Sequence, residues 1–243
     1  MPLNLRILFG TIGLIASGFC LGASPRPAAI DAYAAELAKV EQASAPVSLE
    51  PLFAAAEQAQ DALMLIQDGD RAWLDVLTES EYAALKVELR GLKLSRGFDT
   101  YAQPDGQFLF RLAKAHGRAE DRAFFRLYSR FWTAEQLPQY LSMGKTTTPC
   151  VRFGSSIVTN LYASWAAFAS SYPQAYPAFT KQTLQDLEEA VALGVCACGN
   201  EASVSRELKG FLKRFPQTAV ATQIGTRLRE LKDNPNLHPV HCR

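Results

Sequence analysis

The chain has 243 residues, with 25 Lys or Arg against 24 Asp or Glu. That balance excludes the strong basic excess on which nucleic-acid and other polyanion binders rely. Apolar residues make up 48% of the chain, ample for a core, so neither a metal nor a cystine is a precondition for folding.

From the start, Met1 to Arg6 holds one positive charge, and Ile7 to Leu21 is apolar apart from small residues and Thr11. Small residues follow at Gly22, Ala23 and Ser24. This is the pattern of a secretory signal peptide over residues 1–23, cleaved after Gly22 or Ala23. Two alternatives are open. Acylation would use Cys20, although Phe19 stands where a small residue is expected; an uncleaved anchor would need about 20 apolar residues, more than this run offers. The mature chain carries 24 bases and 24 acids and has no Asn-x-Ser/Thr sequon. The expected address is periplasmic or secreted, with no stable membrane insertion after cleavage.

The rest reads as all-α, a helical bundle or an array of helix hairpins. Ile30, Tyr33, Leu37 and Val40 recur at helical spacing, and so do Leu52, Ala56, Ala59, Leu63 and Ile66. Tyr82, Leu85, Leu89 and Leu92 form a third stripe. Ile157, Leu161, Trp165, Phe168 and Tyr172 form a fourth, and Val220, Ile224, Leu228 and Leu231 a fifth. Each keeps its apolar side chains on one face of a 3.6-residue turn. Thr78 with Glu81 and Thr133 with Gln136 have capping-box spacing, and Ser48 precedes another run. No stretch alternates long enough to demand a strand. Phe108-Leu109-Phe110 is the one run compatible with either state.

Breaks fall at Gly69, at Gly97 to Gly106, and at Gly144 to Pro149. The last divides an N-terminal helical part, residues 24–144, from a cysteine-containing part, residues 150–243; a six-residue connection is equally compatible with one domain.

Within the second part, Phe168-Ala-Ser-Ser-Tyr172-Pro173-Gln174 matches Phe211-Leu-Lys-Arg-Phe215-Pro216-Gln217, 43 residues later. In each copy proline stops one helix before the next begins. Leu184 and Leu187 answer Leu228 and Leu231 after a one-residue slip. Over residues 168–232 this resembles the helix-turn-helix of tetratricopeptide-type repeats in exported bacterial proteins, with a period of 43 instead of 34. The resemblance implies a protein-binding scaffold without chemistry; ordinary antiparallel hairpins would use proline in the same way.

Cys150, Cys196, Cys198 and Cys242 form an even set in a chain that reads as exported, the arithmetic of two disulfides. Cys196 and Cys198 are too close for an easy mutual bond. The pairings are therefore Cys150–Cys196 with Cys198–Cys242, or Cys150–Cys198 with Cys196–Cys242. The alternative is a zinc or copper(I) site built from Cys196, Cys198, His238, His241 and Cys242, whose CxC and HxxHC spacings can each chelate.

Arg118, Arg122, Arg126 and Arg130 fall every four residues, a guanidinium ridge with Phe124, Phe125, Tyr128, Phe131 and Trp132 around the rest of the helix. The ridge is either a docking surface for an acidic protein or anionic glycan, or a solvated face neutralised by Asp68, Asp70, Asp75, Glu79 and Glu81. Catalytic motifs fail: there is no Gly-x-Ser-x-Gly, phosphate-binding loop or His-Glu-x-x-His. Glu79-Ser80 is similar to the Glu-Ser of helical lytic transglycosylases, which would imply an envelope glycan-cleaving enzyme. Their Gly-Leu-Met-Gln segment has no counterpart here. The expected function is binding to another protein, as scaffold, inhibitor or immunity-type protein, without cofactor or nucleic acid.

Overall fold

The computed structural model describes residues 26–68, 71–97, 100–131, 139–143, 149–192 and 197–233. Apolar spacing sets its first helices. In α1 (Ala28–Glu41) the expected stripe Ile30, Tyr33, Leu37 and Val40 is buried. In α2 (Glu50–Met64) the expected Leu52, Ala56, Ala59 and Leu63 are buried, and Phe53 beside them. Pro51 stands at the head of α2, where its missing N–H costs nothing. The two helices pack on each other as a hairpin.

Helices dominate, but the chain is not all-α. Ile66 does not extend α2; it lies in β1 (Ile66–Asp68), paired antiparallel with β2 (Arg71–Ala72). The short α3 (Trp73–Val76) follows, then α4 (Glu79–Glu88), started by the expected Thr78–Glu81 capping box. Leu92, expected on the stripe of α4, instead opens β3 (Leu92–Ser95), which pairs with β4 (Tyr101–Pro104). The cause is Gly91, at φ +97°, where a side chain would strike the Tyr33 hydroxyl and the Phe108 ring. The helix cannot continue through it, and Leu92 reaches the same core from a strand.

Phe108-Leu109-Phe110 belongs to α5 (Gly106–His116). Asp105 starts that helix by accepting from the backbone N–H of Gln107 at 2.9 Å and of Phe108 at 3.2 Å. α6 (Ala119–Phe131) returns against α5. A three-stranded sheet then joins β5 (Leu141–Met143) antiparallel to β6 (Pro149–Arg152), and β6 parallel to β7 (Ala197–Cys198).

Between and after these strands lie two hairpins, α7 (Ile157–Ser171) with α8 (Pro177–Ala192), and α9 (Glu201–Arg214) with α10 (Ala221–Asp233). Their corners are alike. The N–H of Tyr172 donates to Phe168 O at 2.9 Å, and that of Phe215 to Phe211 O at 2.8 Å, each from an extended, twisted residue before proline. Leu187 and Leu231 are buried and Leu184 and Leu228 half-buried in the two following helices, so the sequence repeat is also a repeat of local geometry.

One buried apolar cluster runs from Ile30 to Leu231, on both sides of the break at 144–149. Its centre is aromatic: Phe124 stacks on Tyr176 with ring centroids 3.7 Å apart, and Phe53 meets both edge-on. Asp121, fully buried beside it, accepts from Leu49 N–H at 3.0 Å, Arg118 N–H at 2.8 Å and the Tyr176 hydroxyl at 2.6 Å.

Two disulfides were expected; among the described residues there is one, Cys150–Cys198. It belongs to the second of the two pairings. The parallel register sets Arg152 opposite Cys198 and brings the Cys150 and Cys198 Cα atoms to 5.2 Å, inside the usual range of about 4.4–6.8 Å. Cys196 and Cys242 lie outside the described residues, as do residues 1–23 and the Thr133–Gln136 pair.

Two predictions follow from these links. Asp121→Ala strands buried donors of three segments and should lower the unfolding free energy by about 3–5 kcal/mol in urea titration. Tyr176→Phe keeps the ring stack and loses one bond, so about 1–2 kcal/mol is expected; equal losses would refute the central place given to the carboxylate. Cys150 and Cys198 are 48 residues apart, and alanine at either should cost about 4 kcal/mol in the loop-entropy treatment. Non-reducing peptide mapping should link these two cysteines, and a Cys150–Cys196 peptide would contradict the structure.

Candidate functional site

Asp121 also decides how α6 is turned. With Asp121, Phe124, Phe125, Tyr128 and Phe131 facing inward, Arg118, Arg126 and Arg130 are left exposed on the outer face. Arg122 is half-buried and donates from Nη1 to Gly117 O at 2.6 Å, closing the turn between α5 and α6. The segment from Gly106 to Phe131 holds six Lys or Arg and two acids, of which Asp121 is buried. A nearly neutral chain thus concentrates positive charge on one helix hairpin.

Three of the acids expected to neutralise this face are engaged elsewhere. Asp75 accepts from the Thr100 hydroxyl at 2.6 Å, Glu79 pairs with Arg96, and Glu81 closes the box at Thr78; the side chains of Asp68 and Asp70 lie outside the described residues. Among the described residues, no carboxylate reaches ion-pair distance of Arg118, Arg122, Arg126 or Arg130. By contrast, Arg26 pairs with Asp31 and Glu88, and Arg90 with Glu41.

A cavity opens at each end of the ridge, which the helical rise makes roughly 18 Å long. The first, of about 360 Å³, lies between the start of α2 and the loop before α8; Arg118, Glu50, Glu120, Tyr172 and Gln174 line it. The second, of about 540 Å³, is a groove between α6 and α7. Half-buried Leu127, Ile157 and Leu161 form its floor, and exposed Arg130, Asn160 and Ser164 stand at its rim. A third, of about 340 Å³, lies between α7 and α8. There Glu188 accepts from Tyr162 and Thr218 hydroxyls at 2.8 and 2.7 Å, and burial followed by that bond pushes the Tyr162 phenol up to about 12.

The arginine spacing is legible in the sequence; the groove is not, because Ile157 and Leu161 sit on a stripe that also contains the buried Trp165 and Phe168. The signal for the groove is polar: Asn160 and Ser164 share the i, i+3, i+4, i+7 face with Ile157 and Leu161.

The remaining expected site residues form no site among the described residues. Cys198, bonded to Cys150, has no thiolate to offer a metal; Cys196, His238, His241 and Cys242 lie outside the described residues. Glu79 is 93% exposed, pairs with Arg96 and lines none of the three cavities. Among the described residues, the carboxyl most displaced toward neutrality is Glu57 on α2, raised to about 7 by burial and then by Asp61 one turn on. It too lines none of these cavities. Comparison with protein-family models, with characterised proteins and with solved structures finds no match to this chain.

Glu57 gives a prediction with a definite sign. Its folded-state carboxyl holds its proton more tightly than the unfolded one, so its contribution is fully present below about pH 4.5 and is lost as pH rises through about 7. Glu57→Gln should therefore raise the urea midpoint at pH 8 relative to the parent and narrow the difference at pH 4. An unchanged midpoint at pH 8 would count against the assigned burial.

Proposed function

We propose that this chain is an exported protein that acts by binding an acidic partner protein through the outer face of α6. The observation that carries the reading is the ridge itself: Arg118, Arg126 and Arg130 are exposed and without a carboxylate among the described residues, while Arg26, Arg90 and Arg96 have found theirs. Arginine forks recognise carboxylates in paired, planar geometry, and unpaired surface cations accelerate the encounter with an acidic partner. A rigid aromatic core beneath the helix fixes the ridge before binding, which limits the ordering cost.

The export part of the reading rests on residues 1–23 and is supported by the Cys150–Cys198 disulfide, a bond favoured in oxidising compartments. The paired corners at Tyr172 and Phe215 support a scaffold of stacked helix hairpins. Scaffold, inhibitor and immunity-type roles all use such a face in the same way.

The test is a triple charge reversal, Arg118→Glu, Arg126→Glu and Arg130→Glu, with Arg122 kept because it holds the Gly117 carbonyl. Partners are fixed by cross-linking in the native cell envelope and identified by mass spectrometry. Association with an acidic partner should weaken about tenfold or more, with a steep salt dependence in the parent protein. Full retention of every cross-linked partner by the triple variant would overturn the proposal.

A further inference from the structure

The three cavities differ in charge, and that difference selects an occupant for one of them. Arg118 shares its cavity with Glu50 and Glu120, and the α7–α8 cavity holds both Lys181 and Glu188. The α6–α7 groove has Arg130 as its only charged lining residue among the described residues. Just behind its rim, Arg214 of α9 donates from Nη1 to Asn160 Oδ1 at 3.0 Å, adding a second cation. The nearby start of α7 does not supply this charge. The Glu207 carboxylate already takes the N–H groups of Gly154, Ser156 and Thr159, at 3.1, 2.6 and 3.1 Å, and so offsets that helix end.

Shape agrees with charge. The walls are two packed helices, and the floor residues Ile157 and Leu161 are one turn apart on α7, with Leu127 opposite on α6. A third helix laid between them would set apolar side chains at i and i+4 onto this floor. The groove's volume of about 540 Å³ accommodates a few side chains rather than a folded domain.

We propose that the α6–α7 groove is the docking site for an acidic amphipathic helix of a second protein, with leucine-type side chains on Leu127, Ile157 and Leu161 and a carboxylate on Arg130. This rests on the binding function assigned to the ridge and names the chemistry of its partner.

The probe is a short synthetic amphipathic helix with two leucines at i and i+4 flanked by glutamates, labelled for fluorescence anisotropy; companion peptides carry glutamine or lysine in place of glutamate. The full chain should bind the glutamate peptide, bind the glutamine peptide about tenfold more weakly, and leave the lysine peptide free. Ser164→Trp, at an exposed rim position, fills the groove without touching the core and should abolish binding. Arg130→Glu should reverse the preference toward the lysine peptide. If no peptide binds, or if binding survives both Ser164→Trp and Arg130→Glu, the groove assignment is wrong. Binding that falls with Arg118→Glu and Arg126→Glu but survives Ser164→Trp would sink the groove and keep the ridge. Binding insensitive to all four substitutions would sink both.

Discussion

The carboxylate of Asp121 is the constraint on which the rest of the arrangement depends. It lies fully buried, yet its oxygens meet donors from the start of α2, the start of α6 and the loop before α8. An isolated charge in that position would be prohibitive; N–H groups at two helix starts supply both hydrogen bonds and favourable dipoles. The same contacts tie the Tyr176 ring to Phe124, and burial together with Asp121 keeps that phenol strongly raised and protonated as a donor. One residue thus joins three segments far apart in sequence, and its position on α6 sends the ridge outward.

The C-terminal half repeats the device with other residues. Glu207, 2% exposed, gathers backbone N–H groups at the start of α7 and the hydroxyl of Thr159 at 2.6 Å. At the opposite polarity, Arg227 on α10 donates from Nη1 to the Ala190 and Val191 carbonyls at the end of α8, at 2.9 and 3.0 Å. Its Nε and Nη2 have no hydrogen-bond partner among the described residues, and burial draws its pKa down to about 10. Anion at helix start and cation at helix end follow one electrostatic rule. Because Glu207 and Arg227 spend their charge inside the fold, the charge at the α6–α7 groove is left to surface arginines.

Most helices were legible because burial imposes its period on the sequence, as with Ile30, Tyr33, Leu37 and Val40. Strands of two to four residues impose no comparable period, so β3 was absorbed into the stripe of α4 and β6–β7 went unseen. The buried charges were missed for a different reason: a charged residue is read as solvated. The pattern held the correction. Asp121 precedes Phe124, Phe125 and Tyr128 at i+3, i+4 and i+7; Glu207 stands among Val204, Leu208 and Phe211; Arg227 stands among Ile224, Leu228 and Leu231. Each occupies a position that its own stripe assigns to the core. The pairing of cysteines was not legible to the same degree, since choosing Cys198 over Cys196 turns on a parallel strand register that local sequence does not encode.

The ridge is the part of the molecule that stability accounts for least. Arg130 in the last turn of α6 suits the helix dipole, but Arg126 lies mid-helix, and Arg118 and Arg122 stand at the start, where cations are disfavoured. Like charges one turn apart cost roughly 0.2–0.5 kcal/mol per pair. Of the four, Arg122 recovers that cost inside the fold through the Gly117 carbonyl. The others have no such return among the described residues, whereas the buried charges Asp121, Glu207 and Arg227 are each matched to a helix end. A fold that places its described interior charges so consistently, yet leaves three arginines in register on one exposed face with no carboxylate at ion-pair distance among the described residues, holds at its surface the charge that the proposed binding face requires.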